Sequence, residues 1–157
     1  MPITPAANLS LLWSELPHLH RFDAAAEAGF GAVEVLYPYA MPAKETQRAL
    51  LRNGLTLALI NAPPPNYTGG PPGFAALPGG EARCAHDMRR VWRYVEALRP
   101  RMVHVMAGEG EGRAAAKAFV ANLRHAAAEA PPGVTLMIEP LCAQAKPGYF
   151  LNDYAQA

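Results

Sequence analysis

The chain has 157 residues, 51% of them apolar, with 14 Lys+Arg against 13 Asp+Glu and a net charge of +1. One domain of this length buries roughly 70% of its unfolded surface. So even a charge balance gives no electrostatic footprint for DNA, RNA or anionic lipid. No apolar run approaches the ~18 residues of a membrane span. The opening "MPITPAANLSLLW" also lacks the basic and continuous apolar regions of a secretory signal. Cys84 and Cys142 stand far apart with no CxxC spacing, which predicts reduced thiols in a cytoplasmic protein.

In chain order, "AANLSLL" is a short apolar run at the start. "LPHLHRFDAAAEAG" places Leu16, Leu19, Phe22 and Ala26 at helical spacing, with Gly29 as the stop. "AVEVLYPY" predicts a strand ended by Pro38, and "MPAKETQRALLRNG" a short helix with Pro42 near its first turn and Gly54 beyond its end. "LTLALIN" is a third strand. The Pro/Gly-rich stretch 62–80 is long enough to predict a lid or binding loop. "EARCAHDMRRVWRYVEALR" puts Met88, Val91, Trp92, Val95 and Leu98 on one helical face. "MVHVMAG" predicts strand four, 113–129 an alanine-rich helix, and "VTLMIEP" strand five, with a sixth element expected to begin as a helix near Asn152 or Asp153.

The resulting order, β-α-β-α-β-α-β-α-β, implies parallel strands joined by crossover helices. A doubly wound sheet and a (β/α)8 barrel both fit. Neither a GxGxxG nor a Walker loop follows any strand, which removes support for the nucleotide-binding versions of the first.

Residue alternation locates candidate chemistry. In strand five Val134, Leu136 and Ile138 share one face, and Thr135, Met137 and Glu139 share the other. His104 lies between Val103 and Val105, and Glu34 lies between Val33 and Val35. Strand three ends at Asn61 and strand one contains Asn8. In a barrel the face turned away from the helices supplies the active site at its C-terminal mouth, where Asn8, Glu34, Asn61, His104 and Glu139 would converge. The plainer readings are that each Asn is a loop-start hydrogen-bonder, His104 a satisfied core histidine, and Glu34 the partner of an arginine. Glu139 resists such a reading, because a carboxylate in a dry position needs a positive partner. His18, His20, His86, His125, Arg89, Arg90, Arg93 and Arg99 fall on helix-like segments and are expected at the surface, and Cys142 shows no sign of activation.

The stretches "AANLSLLW", "FDAAAEAGFGAVEVLYPY", "NGLTLALINAPPPNY", "AALPGGE", "VHVMAG", "FVANLRHAA" and "IEPLCAQAKPGYFLND" resemble, in order, the hydroxypyruvate isomerase family of xylose-isomerase-like TIM barrels. The resemblance implies that residues 1–157 are the N-terminal portion of a single TIM-barrel domain, a truncated (β/α)8 barrel with about five strands and four helices. It implies an aldose–ketose isomerase converting hydroxypyruvate to tartronate semialdehyde, or acting on a related 2-oxo sugar acid, in glyoxylate metabolism. It also implies a divalent metal, Mg2+ or Mn2+, with Glu139 as both ligand and proton carrier and the remaining ligands absent from this chain. His104, Glu34, Asn61 and Asn8 would bind substrate or orient it, and Tyr67 would sit on a loop closing over the site.

Two departures bear on substrate. Where the family usually shows IEPIN followed by Thr-Arg, this chain reads Cys142-Ala143-Gln144, and "EGEGR" stands where a longer loop is usual. A barrel of this type needs about 250 residues, so the 157-residue chain is expected to be inactive alone. The chain is expected to be a fragment, a truncated gene product, or half of an assembly that a homo-oligomer or completing partner chain would close, with a small hydroxy or oxo acid as ligand and neither nucleic acid nor membrane as partner. The rival readings are a sugar epimerase or a metal-dependent endonuclease on the same superfold, and a degenerate half-barrel that serves as a binding or dimerising module.

Overall fold

The computed structural model describes residues 3–63 and 73–157. Five strands form one sheet: β1 (Ala6–Asn8), β2 (Ala32–Glu34), β3 (Thr56–Ala62), β4 (Met102–Val105) and β5 (Thr135–Met137). Helices α1 (His20–Glu27), α2 (Ala43–Arg52), α3 (Glu81–Leu98) and α4 (Gly112–Glu129) follow the first four strands in turn. The strand order is β1-β2-β3-β4-β5 and every pairing is parallel. A doubly wound sheet reverses its strand order at a switch point. This sheet never does, so it is a wall of a barrel. Among the described residues the wall is partial, and β1 and β5 are its two edges.

Several elements are shorter than the sequence predicts. The strand expected through Tyr39 pairs only at Ala32–Glu34, because Pro38 starts a 3-10 turn, Pro38–Ala40. The first helix begins at His20, since Pro17 ends a series of turns in which Leu16 N–H reaches Trp13 O at 2.9 Å. No sixth helix forms at Asn152 or Asp153. Instead the Asp153 carboxylate accepts the Ala155 N–H at 2.8 Å and closes a turn. The long helix α3 buries Cys84, Met88, Val91, Trp92, Val95 and Leu98, the predicted stripe extended by one turn.

The core lies on the helix side of the sheet. Val33, Val35, Ile60 and Val103 are fully buried there with Phe22 and Ala25 of α1 and Val91 of α3. Burying a side chain of that size stabilises the fold by about 1.5–3 kcal/mol. One irregularity decides what the other side presents. Val33 pairs with Leu57, but Glu34 pairs with Leu59, so Ala58 is an extra residue in β3. Strict alternation from Leu57, a member of the helix-side core, would carry Leu59 and Asn61 into that core. The bulge steps the strand by one residue and turns both to the opposite face. Accordingly Ile60 belongs to the core cluster and Leu59 does not.

Candidate active site

Paired residues of neighbouring parallel strands share a face, so the register traces one row across the inner side of the wall. Asn8 pairs with Glu34, Glu34 with Leu59, Asn61 with His104, and His104 with Met137. Glu139 stands two residues beyond Met137 and keeps its face. The row thus ends where the strands do, at the C-terminal mouth.

Three members of the row meet. The His104 imidazole is 2% exposed, with Nδ1 3.3 Å from Asn61 Oδ1 and 3.5 Å from Glu139 Oε2. Burial pulls the imidazole down to about 4, so desolvation outweighs the nearby carboxylate and the ring is neutral at pH 7. Its Nε2 is buried with no hydrogen-bond partner among the described residues. Asn61 is held on every side. Its backbone N–H reaches Leu36 O at 2.8 Å, and its carbonyl accepts the Tyr39 hydroxyl at 2.5 Å. Tyr39 is fixed from outside by Arg90 of α3, which donates to the Tyr39 carbonyl at 3.0 Å and lies over its ring.

The loop after β5 returns to the mouth. Glu109 and Tyr149 form an antiparallel bridge, Phe150 N–H reaches Gly108 O at 2.9 Å, and Leu141 N–H reaches Leu151 O at 2.9 Å. Phe150 packs edge-on against Phe119 of α4, centroids 5.5 Å apart. This seats the buried Tyr149 hydroxyl where it accepts the Ala107 N–H at 2.9 Å. Burial pushes Tyr149 up to about 12, and the Glu139 carboxylate adds to that rise. Gly73 and Gly108 meet backbone to backbone, and a Cβ on Gly73 would run into the Met106 carbonyl and one on Gly108 into the Gly73 carbonyl.

The family described as xylose isomerase-like TIM barrel matches residues 22–157. The chain belongs to that family. It is 45% identical over 152 residues to a 2-oxo-tetronate isomerase of Cupriavidus necator, covering 94% of this chain and 58% of that protein. It is 40% identical to a putative hydroxypyruvate isomerase of Homo sapiens, covering 99% of this chain and 60% of that one. A solved structure from Brucella melitensis titled AP endonuclease, family 2, superposes with a TM-score of 0.88 at 41% identity, over 93% of this chain and 58% of that chain. The chain therefore spans about 60% of the length of these relatives.

Within this xylose isomerase-like wall the residues singled out from sequence fall into separate places. Glu139, His104 and Asn61 form one cluster. Glu34 lies on the same face, half-buried, with no ion pair among the described residues. Asn8 uses its Oδ1 to accept the Ser10 N–H at 2.9 Å, an Asx-type turn that shapes the loop after β1. Tyr67 lies outside the described residues. The dry setting expected for Glu139 is corrected: its side chain is 52% exposed, because no further strand covers it among the described residues. Arg90, expected at the surface, is instead half-buried against Tyr39. Cys142 contacts Gln144 Oε1 at 2.7 Å inside an exposed turn.

Tyr37, Met106 and Tyr149 escaped the sequence reading. Tyr37 and Met106 sit just past the ends of β2 and β4, where a polar or polarisable side chain next to a strand terminus is the available signal. Tyr149 had none, since its place depends on how the loop after β5 folds back. Among the described residues no three His, Cys, Asp or Glu side chains are grouped to hold a metal ion. The residues present do not by themselves fit a metal site.

Proposed function

We propose that this chain is the substrate-binding and proton-transferring wall of an aldose–ketose isomerase acting on hydroxypyruvate or a related 2-oxo sugar acid. The observation that carries the reading is Glu139, placed at the mouth with its carboxylate 3.5 Å from a buried neutral histidine. The names of the Cupriavidus and human relatives support the reaction class.

Moving a carbonyl by one carbon takes a proton from the hydroxyl-bearing carbon beside it and returns a proton to the old carbonyl carbon, with an enediolate between. Glu139 is the base that accepts the first proton and the acid that delivers the second. Its half-exposed position leaves one oxygen free to approach the substrate. His104 stays uncharged, so it does not tie up the carboxylate in a permanent ion pair. Asn61 and His104 orient substrate oxygens, with Glu34 further along the same row. In the whole protein Glu139 would also supply one oxygen ligand to a divalent cation, whose other ligands would come from outside the described residues.

The test joins residues 1–157 to the C-terminal part of the Cupriavidus relative and assays hydroxypyruvate and 2-oxo-tetronate. The hybrid is expected to isomerise one of them, Glu139→Gln to lower its turnover by about 10²–10⁴-fold, and residues 1–157 alone to show no turnover. A folded hybrid inactive on both, or one indifferent to Glu139→Gln, would overturn the reading. The AP endonuclease name of the Brucella neighbour raises a nucleic-acid alternative, but a net charge of +1 gives phosphate backbones little to bind. An epimerase would share the first proton step, and a ketohexose added to the assay separates the two.

A further inference from the structure

The end of the sheet opposite Glu139 holds a cavity that the proton transfer does not use. Its volume is about 500 Å³, and Glu96, Arg99 and Arg101 line it together with Pro131, Pro132 and Val134. Most of these residues belong to the turns that lead into β4 and β5, so the cavity lies at the N-terminal ends of the strands. Arg101 is fixed between two neighbouring strands. Its N–H donates to Leu57 O at 3.0 Å and its carbonyl accepts the Thr135 N–H at 2.9 Å. Arg99 ends α3 in the left-handed region, at φ 50 and ψ 52. The turns into β2, β3 and β5 place Gly29, Gly54 and Gly133 at positive φ, a conformation that glycine adopts freely and an arginine only under strain. Buried Pro100 follows Arg99, and with Pro131 and Pro132 it leaves the wall little backbone freedom.

Both guanidiniums are exposed, and neither makes a hydrogen bond or ion pair among the described residues, although Glu96 shares the cavity. An arginine at a helix end can serve the fold by bonding the last carbonyls, and Arg99 does not. Two unpaired guanidiniums on one cavity suit an anion whose oxygens accept several hydrogen bonds. We propose that this cavity binds a phosphorylated polyol, with its phosphate on Arg99 and Arg101 and a hydroxyl donating to Glu96. A phosphate monoester carries about −1.5 to −2 charges near pH 7, which two guanidiniums balance. A dicarboxylate would bring its second negative group against Glu96, and a neutral polyol would leave both arginines unused. Small-molecule sites enclose roughly 300–1,000 Å³, so there is room for a sugar-sized body beside the phosphate. The site stands at the other end of the strands from Asn61, His104 and Glu139, and is independent of the isomerase reading.

The experiment titrates the 157-residue protein calorimetrically with glycerol phosphate, inorganic phosphate, glycerol and succinate. Glycerol phosphate is expected to bind, inorganic phosphate to bind more weakly, and the other two to give no signal. Arg99→Gly and Arg101→Ala should each weaken glycerol phosphate by about tenfold to a hundredfold. Glu96→Gln should weaken glycerol phosphate without weakening inorganic phosphate. Arg99→Gly also separates binding from folding. Glycine relieves the strained backbone, so the urea midpoint should hold or rise while binding falls. No binding of glycerol phosphate, binding indifferent to both arginine variants, or a lower urea midpoint in Arg99→Gly would overturn the proposal. Inorganic phosphate or succinate binding as tightly as glycerol phosphate would overturn it too, since the polyol or the phosphate would then go unrecognised.

Discussion

The two faces of the sheet are built from the same strands and differ in almost everything else. On the helix side Val33, Val35, Ile60 and Val103 are fully buried in one apolar cluster. On the inner side Glu34, Asn61 and His104 stand one residue away from those same positions. A single step along the chain separates side chains that hold the fold from side chains placed for chemistry. The comparison predicts that substitutions on the first face act on stability and those on the second act on binding and turnover.

The largest stability effect is expected on the helix side. Phe22 is fully buried between α1 and the sheet. Phe22→Ala should destabilise by about 3–5 kcal/mol through lost transfer energy and the cavity left behind, read as a shift in urea midpoint. Glu139→Gln should leave that midpoint within about 0.5 kcal/mol, since its side chain is half in water. If the two variants unfolded at the same urea concentration, the division of labour would be wrong.

Acid provides the next effect, and here the inner face does reach stability. His104 is held down to about 4 by burial, against about 6.5 in an unfolded chain. Between those values the unfolded state binds a proton that the folded state refuses, so stability falls as pH drops from about 6.5 to about 4 and is level below that. The whole fall is up to about 3 kcal/mol. His18, lowered chiefly by burial, acts in the same direction. Urea titrations at pH 7 and pH 4.5 measure it, and a flat profile would mean that His104 is hydrated.

The fold was legible because a parallel barrel wall repeats one pattern, an apolar run, a turn and an amphipathic helix, four times over before the fifth strand. Strand lengths were less so. Sequence patterns continue past the last paired residue, and Pro38 and Pro140 end pairing earlier than hydropathy suggests. Alternation alone reached the inner row in strands two, four and five. In strand three the candidate came from its terminal position, Asn61, and the extra residue Ala58 is what turns it to the inner face. Asn61 enters the site through that bulge, which depends on pairing between β2 and β3 and not on local sequence. The residues beside Asn61 and Glu139 were hidden for a related reason. Tyr37 and Tyr149 come from loops whose course is set by long-range contacts such as the Glu109–Tyr149 bridge.

The smallest expected effect is the most discriminating, because it concerns a residue as deeply buried as the core. His104→Leu keeps much of the side-chain volume at a position 2% exposed. It removes an unpaired Nε2, which favours the fold, and leaves Asn61 Oδ1 without its contact, which opposes it by a similar amount. The net change at pH 7 should stay within about 1 kcal/mol. At pH 4.5 the variant should be more stable than the unmutated protein, because it has no imidazole for the unfolded chain to protonate there. Binding of hydroxypyruvate should be lost at both. A loss of 3 kcal/mol at pH 7 would instead class His104 with Phe22, as a residue that holds the wall together. A near-neutral cost joined to lost binding is what a polar group kept for its ligand would show.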